Sequence, residues 1–383
     1  MKSKKGVIEI QFNWIFVLIA GALILTFFII VVQKQKQVAD VKLIGAIKAD
    51  LSTILIGSQV SRGTSSLVDI PAVDIYYDCE GYAITNLQAI DPGISFSPNL
   101  LKGYNLMMWS LDWNVPFRVD NFLFITSPGV RYIFIKRNSG DNTWDDFYES
   151  EDNPSFPPRT IIQDGEERIL FNKDLMIVSE AKNYDFENEN NYKIRFIFWD
   201  DNIIRNQRFS NLQDIPDETV TALYYEPDNS CSGEGFDCFG EVIFYEKGAD
   251  ASRKFKKWRD DDDKARSYYL GRTSLIAAVF AEDPEHYNCN MRRAFKKLAF
   301  IAQVYLDKVD DLYDYYKETN NDNCKLISSA STALHIIIDG AEDLSEDFPH
   351  AADLNDIEEI YGQILVLENI NNRLQRLSCA EIY

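Results

Sequence analysis

A chain of 383 residues, 46% hydrophobic and 26% charged, is long enough for two or three domains and has the composition of a folded protein. Its net charge of -21 argues against a nucleic-acid role, because phosphate binding needs a clustered basic surface. The frequent Lys and abundant Ile, Asn and Tyr do not fit the Lys-poor composition of a salt-adapted protein.

From Ile10 to Gln33 no side chain is charged, and between Trp14 and Val32 only Thr26 is polar. That run is long enough to cross the roughly 30 Å hydrocarbon core as a helix. A cleaved secretory signal has a shorter apolar region and a small-residue cleavage site, whereas this run ends in Gln33, Lys34, Gln35 and Lys36. The expectation is a retained anchor over residues 1–33. Lysines flank both ends, so the positive-inside rule orients it only weakly. Apolar residues continue at Val41, Ile44, Ile47, Leu51, Ile54 and Leu55, a three-to-four spacing that predicts an amphipathic stalk helix within residues 34–66. A short amphipathic linker on the membrane surface is the alternative.

Lys4-Lys5-Gly6, a short mixed stretch and a long apolar helix resemble the class III signal of archaeal type IV pilin-like surface proteins. The resemblance is confined to this N-terminal part and implies cleavage after Gly6, leaving Val7 as the new N-terminus. It also implies an acid near the start of the spine that helps subunit register. The family has Glu at the fifth mature position; here that position is Gln11 and the acid is Glu9, at the third. A plain signal anchor with N-terminal lysines has the same outline.

Residues 67–250 read as a strand-rich extracytoplasmic domain. Short aromatic and β-branched runs at residues 73–77, 122–126, 130–136, 192–199, 220–225 and 241–245 are separated by Pro, Gly and Asn/Asp clusters. "KIRFIFW", from Lys193, alternates as a strand with one wet face does, which predicts antiparallel sheet. A helix is expected at residues 97–106. The acidic, turn-rich residues 138–158 read as a long exposed loop. Asp141, Asn142, Asp145 and Asp146 are the oxygen ligands calcium would want, but EF-hand spacing is absent. Asp185, Glu187 and Glu189 read as a solvated turn.

Residues 251–383 turn helical after a charged junction whose Asp260 to Lys264 resembles a protease recognition tag and reads as a helix start or linker. Helices are expected at residues 267–281, 291–317, 325–339 and 354–377. Met291, Ala294, Leu298, Ile301, Tyr305, Leu312 and Tyr316 form one apolar seam; Leu354, Ile357, Ile360, Ile364, Leu367, Leu374 and Leu377 form another. Facing seams predict an antiparallel helical bundle. The fold class is therefore α+β: a transmembrane helix continuing into a stalk, an antiparallel strand-rich head and a C-terminal bundle.

Six cysteines in an exported chain are expected to pair. Cys289 and Cys324 sit at opposite ends of a helix about 40 Å long, and a disulfide needs Cα atoms within about 7 Å. In an antiparallel bundle Cys324 pairs with Cys379. Cys231 and Cys238 bracket "SGEGFD", whose glycines allow a tight loop, and Cys79 with Cys289 follows by elimination. The rival reading is zinc at His286-x-x-Cys289, which has no second ligand pair to match it. His335 reads as a core or boundary residue and His350 as loop.

No nucleophile elbow, phosphate loop, dinucleotide fingerprint, two-histidine zinc helix or redox dithiol occurs. The expectation is binding or assembly without catalysis, cofactor or metal, the partners being the lipid bilayer and copies of itself or other surface proteins. Two alternatives stand beside it. An anchored hydrolase would use paired carboxylates, which leave no local signature; a receptor of reversed topology would have all six thiols free.

Overall fold

The computed structural model describes residues 6–60, 65–70, 73–84, 91, 93–136, 160–163, 166–169, 176–180, 193–206, 215–216, 219–231, 237–248, 255–350 and 353–383. The expected acidic loop at residues 138–158 and the acids Asp185, Glu187 and Glu189 lie outside them. Contacts divide the chain into two units, Met1–Thr53 and Ile54–Tyr383.

The first unit is carried by α1 (Gly6–Val60), one continuous helix of 55 residues. No proline interrupts it. Thr26, the one polar residue in the apolar run, donates its hydroxyl to the Ala22 carbonyl at 2.7 Å, so even that group is satisfied inside the helix.

In the second unit, the first sheet has the order β1 (Ser65–Asp69), β6 (Asn105–Asn114), β7 (Arg118–Thr126) and β4 (Ser95–Phe96). A three-stranded sheet joins β3 (Gly81–Ile84), β2 (Ile75–Asp78) and β5 (Leu100–Leu101). A separate hairpin pairs β9 (Thr160–Gln163) with β10 (Glu166–Ile169). The seven-stranded sheet runs β11 (Met176–Glu180), β8 (Val130–Lys136), β12 (Lys193–Phe198), β13 (Val220–Pro227), β14 (Phe239–Lys247) and β15 (Phe255–Lys257), with β16 (Arg266–Leu270) also on β14. Among the described residues the unit also holds the α-helices α2 (Asp201–Asn206), α3 (Asp262–Ala265), α4 (Arg272–Phe280), α5 (Pro284–Glu318), α6 (Ser329–Asp347) and α7 (Asp353–Arg376).

The mixed α+β character agrees with the expectation, but the antiparallel reading of "KIRFIFW" does not. β12 is parallel to both neighbours, β8 and β13. The reason is burial on both faces. Ile194, Phe196 and Phe198 enter an apolar cluster with Ile133, Ile204, Tyr245 and Phe255, while Arg195, which looked like the wet face, is only 4% exposed. The helix expected at residues 97–106 is absent; β5 and the start of β6 lie there. Residues 267–270, expected to begin a helix, instead belong to β16, because "RSYYL" completes the sheet edge beside β14 before α4 begins. β15 and β16 lie beyond residue 250, so strands of the two expected segments share one sheet. In the Asp260 to Lys264 segment Asp260 ends a tight turn and Asp261 caps α3, its side chain accepting from the Asp263 and Lys264 amides.

α4 is the central element. Its residues Ser274 to Phe280 are all buried. Phe280 contacts Trp109 of β6 at 4.7 Å between ring centroids and Tyr132 of β8 at 4.5 Å, so one ring joins the four-stranded and seven-stranded sheets. Tyr287 of α5 repeats the arrangement between Phe96 and Phe244. Close strand packing makes Gly240 obligatory: a Cβ there would fall 2.2 Å from the Glu226 carbonyl oxygen.

α6 packs against both α5 and α7, through Leu298, Ala302 and Val309, Leu334, Ile337 and Ala341, and Ile357, Ile360, Ile364 and Leu367, all buried. Most of the expected seams are buried or half-buried, though Leu377 is exposed. α5 begins seven residues earlier than its apolar period predicts, because Asp283 caps it and Pro284 occupies its first position. His335, expected in the core or at its boundary, is exposed on α6, and its Nδ1 lies 2.8 Å from the Ser331 carbonyl oxygen. His350 lies between α6 and α7, where its contact with Asp347 raises its pKa.

Candidate functional site

Two features stand out: the apolar surface of α1, and a buried polar junction where α4 hands over to α5. Trp14–Lys36 is long and apolar enough to cross a membrane, and none of it is buried within the protein. Its large side chains are exposed all around, from Trp14 at 70% through Leu18 and Phe27 to Val32. A helix apolar on every face has no wet side, so only lipid or other apolar chains can cover it. Gly6, Val7 and Glu9 lie in its first turn.

The junction is built on the sequence Glu282-Asp283-Pro284-Glu285-His286. Asp283 Oδ1 accepts from the His286 amide at 2.8 Å and caps α5, while Oδ2 accepts from Asn99 Nδ2. Glu282 Oε2 accepts from the Asn99 amide at 2.8 Å and pairs with Lys193. Arg195 donates to Thr221 Oγ1 at 3.0 Å and to the carbonyls of Ala278 and Glu282 at 2.8 and 3.0 Å. Those carbonyls lie at the end of α4 and just beyond it, where the negative end of the dipole favours a cation. The guanidinium also lies 5.4 Å from the Phe244 ring. Burial lowers its pKa to about 10, against the opposing pull of Glu282, Tyr132 and Asp283, so it remains charged at neutral pH.

Replacing Arg195 with Leu strips partners from two buried carbonyls and a hydroxyl and leaves Glu282 with one cation fewer. The expected loss is about 3–5 kcal/mol of folding free energy. Denaturant titration measures it; a midpoint equal to that of the parent chain would contradict this account.

α5 then ties the junction to the other sheets. Asn290 Oδ1 accepts from the Ser95 amide at 3.2 Å, and Arg293 reaches the Cys79 carbonyl at 2.7 Å and Asp91 at 3.0 Å. Cys79 and Cys289 form a disulfide with Cα atoms 5.8 Å apart. Cys231 and Cys238 are joined at 5.9 Å, and Cys324 and Cys379 at 5.6 Å. These are the three pairs expected from helix geometry and loop length. Cys289 is therefore not a thiolate. Among the described residues no group of three or more His, Cys, Asp or Glu side chains surrounds a common metal position.

His286 is 3% exposed. Its imidazole packs against the backbone of Ser95 and Ser97, and neither ring nitrogen completes a hydrogen bond. Burial lowers its pKa, only partly offset by the Asp283 and Asp78 carboxylates, and the positive end of the α5 dipole works in the same direction as burial. A histidine with a folded pKa below its unfolded value, near 6.5, contributes full stability above that pH and loses it as pH falls. Melting temperature should therefore fall as pH drops below about 6.5, and His286→Leu should flatten that part of the profile. Parallel profiles for the two chains would remove His286 from the explanation.

Beside the junction is a hollow with room for little more than one water molecule, lined by residues including Tyr132, Lys193, Thr221 and Glu282. No protein family matches this chain, and comparisons with curated proteins and with solved structures find no similar one.

Of the residues singled out in the sequence, the six cysteines are brought together in pairs and His286 enters the junction. Arg195, Glu282, Asp283 and Asn99 carried no motif. The Asp-Pro step at 283–284 is a helix-start signal that locates α5; nothing local announces that Arg195 and Asn99 converge on it.

Proposed function

We propose that this is a single-pass, N-terminally anchored surface protein whose Ile54–Tyr383 unit works outside the membrane, through binding or assembly and not through catalysis. The observation that carries this reading is the stretch Trp14–Lys36, apolar on all sides and not buried among the described residues. The three disulfides support an oxidising compartment for the folded unit. Retention of the helix as an anchor, as opposed to its removal as a signal, is supported by its length and by the lysines and glutamines that follow it in place of a cleavage site.

The sharper form of the reading is pilin-like: cleavage after Gly6, Val7 as the mature N-terminus, and Glu9 as the acid that sets register between neighbouring helices. N-terminal sequencing of the native protein is the test. A chain beginning at Val7 supports the pilin-like form; an intact N-terminus leaves the plain anchor. Thiol counting without and with reductant tests the compartment, since six free thiols in the native protein would place the folded unit in the cytoplasm.

A further inference from the structure

Lys193, Asn99 and Glu282 come from three distant parts of the chain and meet at the α4–α5 junction. Lys193 opens β12, Asn99 stands just before β5, and Glu282 lies between α4 and α5. The Lys193 and Glu282 side chains are only 13% and 11% exposed. One atom, Glu282 Oε2, receives both the Lys193 ammonium and the Asn99 backbone amide. Two donors on one oxygen lie within two hydrogen-bond lengths of each other, which places Nζ close to the Asn99 backbone, the same residue whose carboxamide turns toward Asp283. That carboxamide is held in place: Nδ2 donates to Asp283, and Oδ1 is buried without a partner. Pro98, Tyr132, Ile194 and Phe280 line the small hollow that Lys193 and Glu282 border.

A carboxylate touching a lysine in a desolvated site is both its counter-ion and a base within reach of its proton. We propose that Lys193 and Asn99 form a modification site, joined by an intramolecular amide that the folded chain makes by itself. Glu282 takes a proton from the Lys193 ammonium, leaving a neutral amine. The amine lone pair attacks Asn99 Cγ, and protonated Glu282 donates to Oδ1 as the tetrahedral centre forms. The Cγ–Nδ2 bond then breaks, with Nδ2 leaving as ammonia that carries away the protons released from Nζ and ends as ammonium beside Asp283. A lysine ammonium and an asparagine amide become one secondary amide and one ammonium ion, with no oxidant, reductant or cofactor required. The link would tie the seven-stranded sheet at β12 to the β4–β5 connection, a place none of the three disulfides spans.

The test is mass spectrometry of the full-length chain with its disulfides intact. The expected result is a mass one ammonia lower than the sequence requires after allowing for the hydrogens lost to disulfides. Proteolysis should yield a single branched peptide containing both Lys193 and Asn99. Glu282→Gln should return the full mass with Lys193 and Asn99 in separate peptides; Lys193→Arg should do the same, which covers the case in which the first variant fails to fold. Folded parent protein with Lys193 and Asn99 in separate linear peptides would overturn the proposal. A branched peptide persisting in folded Glu282→Gln would overturn the role given to Glu282.

Discussion

A chain lacking residues 1–53 should leave the membrane fraction completely, while the full chain should stay there through an alkaline wash. Each Leu, Ile, Phe or Val at the centre of a spanning helix favours insertion by about 0.3–0.6 kcal/mol. Trp14–Lys36 contains many of them and no Asp or Glu. The summed preference reaches several kcal/mol, enough to hold essentially all copies in lipid. The truncated chain retains the Ile54–Tyr383 unit, with Leu55 and the cores above and below the seven-stranded sheet. It should be soluble, with no thiol titratable after denaturation without reductant. Native full-length protein recovered from the soluble fraction with α1 still attached would sink the anchor reading.

The second large effect concerns Cys79 and Cys289. Their bridge closes a loop with a sequence separation of 210, against 55 for Cys324–Cys379 and 7 for Cys231–Cys238. If disulfides act mainly by restricting the unfolded chain, opening them costs about 5, 4 and 2.5 kcal/mol in that order. Only the first bridge joins the three-stranded sheet to α5 directly, so its loss also frees β2 from the helix that Arg293 and Asn290 help to hold. Melting temperatures of the three paired Cys→Ser variants should follow the same ranking, with Cys79/Cys289 the lowest. A ranking led by Cys231/Cys238 would show that native-state contacts outweigh loop length.

Much of this architecture is legible locally. An unbroken apolar run has one reading as a membrane-length helix, since its signal depends on composition and length and not on any partner. The strands at 130–136 and 220–227 and the helix at 353–376 follow from their own aromatic, β-branched or three-to-four patterns. The failures share a cause. "KIRFIFW" alternates charge with apolar bulk, and alternation normally means that one face is wet. Here the face bearing Arg195 is covered by the end of α4, whose carbonyls the guanidinium satisfies. "SYYL" runs straight into a helix and shares its apolar character, but with Arg266 it pairs along the edge of β14 as β16.

The sequence by itself determined the membrane-length helix, the α+β composition and the short Cys231–Cys238 loop, because each of these depends on neighbours within a few turns of chain. Only the tertiary structure decided that strands and helices share one core around α4, that β12 runs parallel between two neighbours, and that Lys193, Asn99, Arg195 and Glu282 meet. Burial and charge pairing between segments some 90 to 180 residues apart depend on where the whole chain packs, and no local period records that.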